Sequence, residues 1–335
     1  MKKLIIPFMI LLCGCDGHLA DKYYNQGVAR FALGDYNGSI SAYSRAIKID
    51  PGNVESYYSR GVAKLVLGDT SGAIADYSMA ISINPNYSDA CIGRGNIEVS
   101  RGDYREAITD FSNAIEINPG DESLYFNRGS AKNKIGDSQG AISDFSKALE
   151  INPDNVAIYI ERGTAKNRLG DHRGALADFN KAIGINPDDS AAYTNRGISK
   201  IALNDYKGAL ADYSKALDLD PDNSPAAYGR GYAKYKLGDY ANAVLDFNKA
   251  LEINSTDGNA YNYRGICKIE LGDFLGALGD AENAIKINPV NAEAYNTSGN
   301  AKLKLGDKAG ACMDWKKSSG LGYYGANDQL RKFCQ

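Results

Sequence analysis

The chain has 335 residues, with 38 Lys+Arg against 41 Asp+Glu, two His and a formal charge of −3. Near-balance of charge excludes the concentrated basic face that a nucleic-acid partner needs, and two histidines leave little for a zinc site or His-based catalysis. At 44% hydrophobic and 24% charged the composition is that of an ordinary soluble protein, and its oddities are 36 Gly and 23 Tyr, both periodic.

The N-terminus reads Met1-Lys2-Lys3, an apolar run from Leu4 to Leu12, then Cys13-Gly14-Cys15-Asp16. Two lysines before a short apolar stretch make a secretory leader, too short for a spanning helix. Leu12-Cys13-Gly14-Cys15 resembles the bacterial lipobox, departing from it in the cysteine before the glycine. The resemblance implies a signal peptide over 1–14, a diacylglycerol on Cys15 and a tether over 15–20. The protein would then be lipid-anchored in a bacterial envelope, facing the periplasm. Asp16 is similar to the signal that keeps enteric lipoproteins at the inner membrane, with the outer membrane as the alternative. A competing reading cleaves after Ala20 and releases a soluble secreted protein, though His18 suits a small-residue cleavage site poorly.

Beyond the tether a single period governs the chain. Gly27, Gly61, Gly95, Gly129, Gly163, Gly197, Gly231, Gly265 and Gly299 are each 34 residues apart, without insertion or deletion. The stretch from Tyr125 to Pro153 shows the unit most clearly, and it predicts two helices. Gly136 supplies a left-handed cap to the first, and Asp137 caps the start of the second. Ala141, Phe145, Ala148 and Leu149 fall at helical spacing on one apolar face, and Asn152-Pro153 closes the unit. Gly129, Ala131, Ala141 and Ala148 let helices approach closely, while Tyr125 and Phe145 fill the space between them. One such hairpin cannot bury its apolar face alone, but a stack can.

Length, punctuation and the Gly, Ala, aromatic, Ala, Pro series resemble the tetratricopeptide repeat (TPR) in nine consecutive copies over residues 21–319. The resemblance implies an all-α fold, a right-handed superhelical solenoid of helix-turn-helix repeats, with a C-terminal capping helix within residues 320–335. Departures are single: Cys91 and Ala227 for the tyrosine four before the glycine, Asn204 for a helix-ending glycine, Ser255 for a closing proline, Ala281 for the core aromatic.

Most recurrent side chains read as structural. Fourteen tyrosines occupy the positions of Tyr57, Tyr36 and Tyr43 and are expected in the core. Arg60, Arg94, Arg128, Arg162, Arg196, Arg230 and Arg264 are each followed sixteen residues later by an aspartate, from Asp76 to Asp280, which predicts Arg–Asp pairs between helices. Copy nine sets Ser298 against Asp314, which should break the pairing. Lys64, Lys132, Lys166, Lys200 and Lys234 read as a solvated face. Cys91 and Cys267 read as buried free thiols, and Cys312 with Cys334 as a disulfide pinning the C-terminal cap in an oxidising compartment. His18 and His172 have no ligand set, so no metal is expected.

In TPR proteins the first helix of each pair lines the binding surface. The corresponding variable positions here are Tyr58, Asn96, Phe126, Asn127, Asn133, Asn167, Asn195, Tyr228, Tyr232, Tyr235, Asn262, Tyr263, Asn296 and Asn300. Asparagine suits an extended peptide backbone or sugar hydroxyls, and tyrosine adds apolar area with a polar tip. Periodic glycines are helix punctuation rather than a phosphate loop, and no Ser or Cys nucleophile has a His to activate it, so no enzyme and no cofactor are expected. These features point to a membrane-anchored scaffold that holds protein or peptide partners. The alternatives are a glycan-binding envelope module and an exported effector.

Overall fold

The computed structural model describes the backbone of residues 10–334 and the side chains of residues 18–334. Part of the leader (residues 1–9) and the Cys15 side chain therefore lie outside the described residues. The described residues form nineteen helices and no strand. The chain divides into two compact units, one ending at Glu161 and one beginning at Arg162.

The first unit contains α1 (Ile10–Ala32), α2 (Tyr36–Ile49), α3 (Val54–Val66), α4 (Thr70–Ile83), α5 (Ser88–Arg101), α6 (Tyr104–Ile117), α7 (Glu122–Lys134) and α8 (Ser138–Ile151). The unit boundary falls within α9 (Val156–Arg168). The second unit continues with α10 (His172–Ile185), α11 (Ser190–Ala202), α12 (Tyr206–Leu219), α13 (Ser224–Lys236) and α14 (Tyr240–Ile253). It ends with α15 (Gly258–Glu270), α16 (Phe274–Ile287), α17 (Ala292–Lys304), α18 (Lys308–Gly320) and α19 (Ala326–Phe333). From α1 to α8, and again from α10 to α19, each helix packs on the next.

The punctuation follows backbone chemistry. Gly136 stands at φ 86°, and Asn204, the one exception among the helix-ending glycines, takes the same left-handed region at φ 61°. Asp137 accepts from Gly140 N at 2.9 Å, satisfying one of the donors a helix start leaves free. Asp103 makes no such cap bond, and its carboxylate lies 3.2 Å from Arg101 instead. Asn152, before Pro153, is extended at φ −128° and ψ 92°, which ends α8.

The periodic glycine serves close packing rather than a turn. A Cβ on Gly129 would lie 2.9 Å from the Phe145 ring, so the aromatic of the second helix fits only against a bare backbone. Tyr43, Tyr77 and Tyr213 take that aromatic position and are buried, each 2% exposed. The expectation for the other tyrosines needs correcting. Tyr57 is buried, but Tyr125, Tyr193, Tyr261, Tyr36 and Tyr206 are half-buried. Tyrosines in the Tyr57 register carry a guanidinium over one face, from 5.2 Å for Arg264 on Tyr261 to 5.8 Å for Arg128 on Tyr125.

The arginines pair as expected, but the lysines do not lie on a solvated face. Arg128 donates Nε and Nη2 to the two Asp144 oxygens at 2.9 and 2.7 Å. Lys132 then closes on the same carboxylate at 2.8 Å, and Lys64, Lys166, Lys200 and Lys234 do the same in their own repeats. A lysine four residues after the arginine lies one turn along the same helix face, within reach of the same aspartate. Ser298 does not abolish the arrangement in copy nine: its hydroxyl donates to Asp314 at 2.6 Å and Lys302 pairs with that carboxylate at 2.7 Å.

At the C-terminal end, α19 lays Leu330 and Phe333 against the buried Trp315, with the Phe333 and Trp315 rings stacked at 5.9 Å. Cys312 and Cys334 are joined by a disulfide, their Cα atoms 5.7 Å apart. Cys91 and Cys267 are free and fully buried.

Candidate binding site

The positions read from the sequence as a binding surface separate into two chemical groups. Most asparagines are consumed by the fold. Asn262 is 1% exposed and accepts from Thr297 Oγ1 at 2.8 Å, and Asn133 is 7% exposed, so neither is available to a ligand. Asn167 spans Ser199 (2.8 Å) and His172 (3.1 Å), Asn195 donates back to the Ala191 carbonyl at 2.9 Å, and Asn300 accepts from Trp315 Nε1 at 3.2 Å. Each stitches one helix to its neighbour or to its own preceding turn. Asn127 and Asn296 are half-buried, whereas Asn96 is exposed.

The aromatics behave differently. In the first unit Tyr58 packs on Tyr77 (5.6 Å) and Tyr87 (5.4 Å), and Phe126 on Phe145 (6.0 Å). Tyr58 also borders a cleft of about 320 Å³ with Val28, Phe31 and Val62. In the second unit Tyr228, Tyr232, Tyr235 and Tyr263 come together from α13 and α15. Tyr232 meets Tyr263 edge-on at 5.0 Å, and Tyr235 lies 5.5 Å from Tyr263. Edge-to-face and tilted contacts of this kind are favourable ring arrangements.

Between that cluster and α11 opens a cleft of about 410 Å³, lined by Tyr228, Tyr232 and Tyr263 together with Ile198, Ile201, Tyr213, Pro225 and Gly229. The volume lies in the range of roughly 300–1,000 Å³ usual for small-ligand pockets. Sequence reasoning missed its aliphatic wall and its floor. Ile198 and Ile201 sit one and four residues after Gly197, in the register of Asn96 and Asn133 in their own repeats. Gly229 carries a subtler signal. A Cβ there would lie 2.4 Å from the Tyr213 ring, so the position must be small. Where the preceding core aromatic is tyrosine, the facing residue is Ser59 (for Tyr43), Gly93 (for Tyr77) or Gly229 (for Tyr213); where it is Phe111, Phe179 or Phe247, the residue is Asn127, Asn195 or Tyr263. A buried hydroxyl needs the room that a small neighbour leaves.

The electrostatics keep Tyr228 and Tyr263 neutral. Burial pushes the Tyr228 and Tyr263 phenols well above their ordinary value, with the carboxylates of Asp257 (for Tyr228) and Glu293 (for both) adding to it. Lys236 lies 5.3 Å from the centres of the Tyr232 and Tyr235 rings. The cleft thus offers an apolar wall and phenolic donors, with the Asp257 and Glu293 carboxylates acting on its tyrosines and the Lys236 ammonium over the Tyr232 ring. Such a set has the chemistry to take an apolar or aromatic side chain and to hydrogen-bond the backbone that carries it. Among the described residues, no group of three or more His, Cys, Asp or Glu side chains is placed to hold a metal ion, and no helix is long and apolar enough to cross a membrane.

A family model described as TPR repeat matches residues 27–68 and 95–136, and models described as tetratricopeptide repeat match 122–155, 160–224 and 194–258, together more than half of the chain. Among solved structures, a tetratricopeptide repeat protein from Parabacteroides merdae is 24% identical with a TM-score of 0.58, the match covering 74% of this chain and 99% of the other. YrrB, described as a TPR protein with an unusual peptide-binding site, is 23% identical with a TM-score of 0.51 over 55% of this chain and 95% of its own. At these identities the likeness concerns the fold. A search of curated proteins returned no match.

Proposed function

Because the chain belongs to the tetratricopeptide repeat family, we propose that it is a protein-interaction scaffold whose principal contact is the tyrosine-lined cleft of α11, α13 and α15. The observation that carries this reading is the convergence of Tyr228, Tyr232 and Tyr263 with Ile198 and Ile201 around about 410 Å³ of open space. Partly exposed aromatic and aliphatic side chains with nothing packed into the space between them suit a partner's side chain. The engagement of Asn133, Asn167, Asn262 and Asn300 inside the fold weakens the glycan alternative, which relied on free amides. Lipid on Cys15 would hold the scaffold at a bacterial membrane facing the periplasm. A lipoprotein anchor with more than one acyl chain is lasting, whereas one chain alone binds marginally.

The test is crosslinking in the native cell with wild type and a Tyr228→Ala/Tyr232→Ala/Tyr263→Ala variant checked for intact helicity. Protein partners captured by wild type and lost from the variant support the reading. Equal capture by both places binding elsewhere, and retention on insoluble glycan with no protein captured favours the glycan module. Mass spectrometry of the mature N-terminus tests the anchor: an unmodified residue 21 would rule it out.

A further inference from the structure

The Arg–Asp–Lys arrangement is broken once between the second and eighth repeats. In the other copies of that stretch a lysine Nζ lies 2.7–2.8 Å from the buried aspartate, from Lys64 on Asp76 to Lys268 on Asp280. In the third repeat that position is Glu98. Its side chain is 13% exposed and faces Asp110, 2% exposed, across the α5–α6 interface. Arg94 is already committed: Nε and Nη2 donate to the two Asp110 oxygens at 2.7 and 2.6 Å, and Nη1 donates to Ser78 Oγ at 2.9 Å. Arg94 Nε is 3.9 Å from Glu98 Oε1, too far for a hydrogen bond, and Glu98 Oε2 is buried with no hydrogen-bond partner. Where the second repeat offers the Gly72 carbonyl to its lysine at 3.4 Å, the third has Glu106. One cation thus faces two carboxylates, where the flanking repeats set two cations on one carboxylate.

We propose that Glu98 makes the third repeat a proton-sensitive joint: ionised, it loosens the packing of α5 on α6, and protonated, it lets that helix pair close. In a solenoid each repeat is held by its neighbours, so a weakened one opens locally while the rest stays folded. The charges acting on Glu98 are Arg94 on its own helix, Asp110 and Glu106 on α6, and Asp103 in the turn before it. From α4 the one charged side chain is Asp76, held by Arg60 and Lys64 on α3. Burial first, then Asp110, holds the Glu98 carboxyl up at about 7, against 4.5 for an ordinary glutamate. Because the folded value exceeds the unfolded one, the folded state takes up a proton. Local stability therefore rises as pH falls from about 7 towards 4.5 and is flat outside that window.

Amide hydrogen exchange of the full chain at pH 8 and pH 6, corrected for intrinsic rates, tests this. Wild-type protection in α5 and α6 should rise about tenfold on acidification, as linkage requires for such a group. Glu98→Gln, permanently neutral, should show high protection at both pH values, and Glu98→Lys, which rebuilds the flanking arrangement, should do the same. Protection in α11 and α12, built on Arg196, Asp212 and Lys200, should not move. A flat wild-type profile in α5 and α6 would overturn the proposal. So would a tenfold rise that persists in Glu98→Gln.

Discussion

Asp212→Ala probes the ion-pair arrangement that recurs from the second repeat to the eighth. The Asp212 carboxylate is 4% exposed and accepts from Arg196 Nε at 2.9 Å and Nη2 at 2.6 Å, while Lys200 Nζ lies 2.7 Å away. Removing it strands two cations at the α11–α12 contact. Deleting one partner of a buried pair costs about 3–5 kcal/mol. Arg196 and Lys200 are 19% and 20% exposed, and Arg196 keeps its bond to Asn180 at 2.8 Å, so water and that bond recover part of the loss. The low end, about 3 kcal/mol, is the expectation. It corresponds to roughly a hundredfold loss of amide protection in α12. Local exchange is the right assay because long repeat arrays depart from two-state unfolding. Lys147→Ala, at a pair 58% and 64% exposed, should change nothing measurable. Replacing Arg196, Lys200 and Asp212 together by Met, Met and Leu should restore most of the protection. Less than a tenfold loss in Asp212→Ala would refute the idea that these ion pairs hold the helices together.

Burial holds the Cys267 thiol up at about 12 and raises that of Cys91, so neither should be alkylated at pH 8 until the chain is denatured, which mass spectrometry of labelled protein would show. The Cys312–Cys334 bond closes a separation of 22 residues, worth about 3 kcal/mol by chain entropy. Reduction should therefore release α19 to limited proteolysis while α17 stays resistant. Asp137→Ala removes a cap bond and should cost about 1 kcal/mol of local stability in α8, by exchange of its first-turn amides. Asp103→Ala, at a helix start with no cap bond, should cost clearly less in α6.

Helix boundaries and the Arg–Asp pairs were legible because each rests on local chemistry or on spacing repeated through the chain, and the joining of Cys312 to Cys334 because both fall in the C-terminal cap region. Gly136 and Asp137 act within one turn of backbone, and a sixteen-residue offset shared by seven arginines stands in the sequence itself. The lysines differ from the sequence expectation because spacing alone carries no direction across the helix pair. Lys132 is polar and four residues from an arginine, and only the crossing of α7 and α8 brings its ammonium onto Asp144. Their recurrence with the arginine was the available sign, and Glu98 as its one acidic exception was visible in the same column. Asparagine misled for the opposite reason. Its amide bonds equally well to a ligand or to the next helix, and the choice made at Asn262 depends on Thr297, thirty-five residues away. The cleft was half legible: its tyrosines stood out, while Ile198, Ile201 and Gly229 acquire meaning only from the ring of Tyr213 and the space above it.

The central claim, that the cleft of the second unit receives a partner's side chain, is tested most directly by a photo-reactive amino acid at position 198, with position 173 on α10 as the exposed control. Irradiation in the native cell should join position 198 to a discrete peptide, identified by mass spectrometry and lost when Tyr228 and Tyr263 are changed to alanine. Products at position 173 with none at 198, or products at 198 that survive both substitutions, would contradict it.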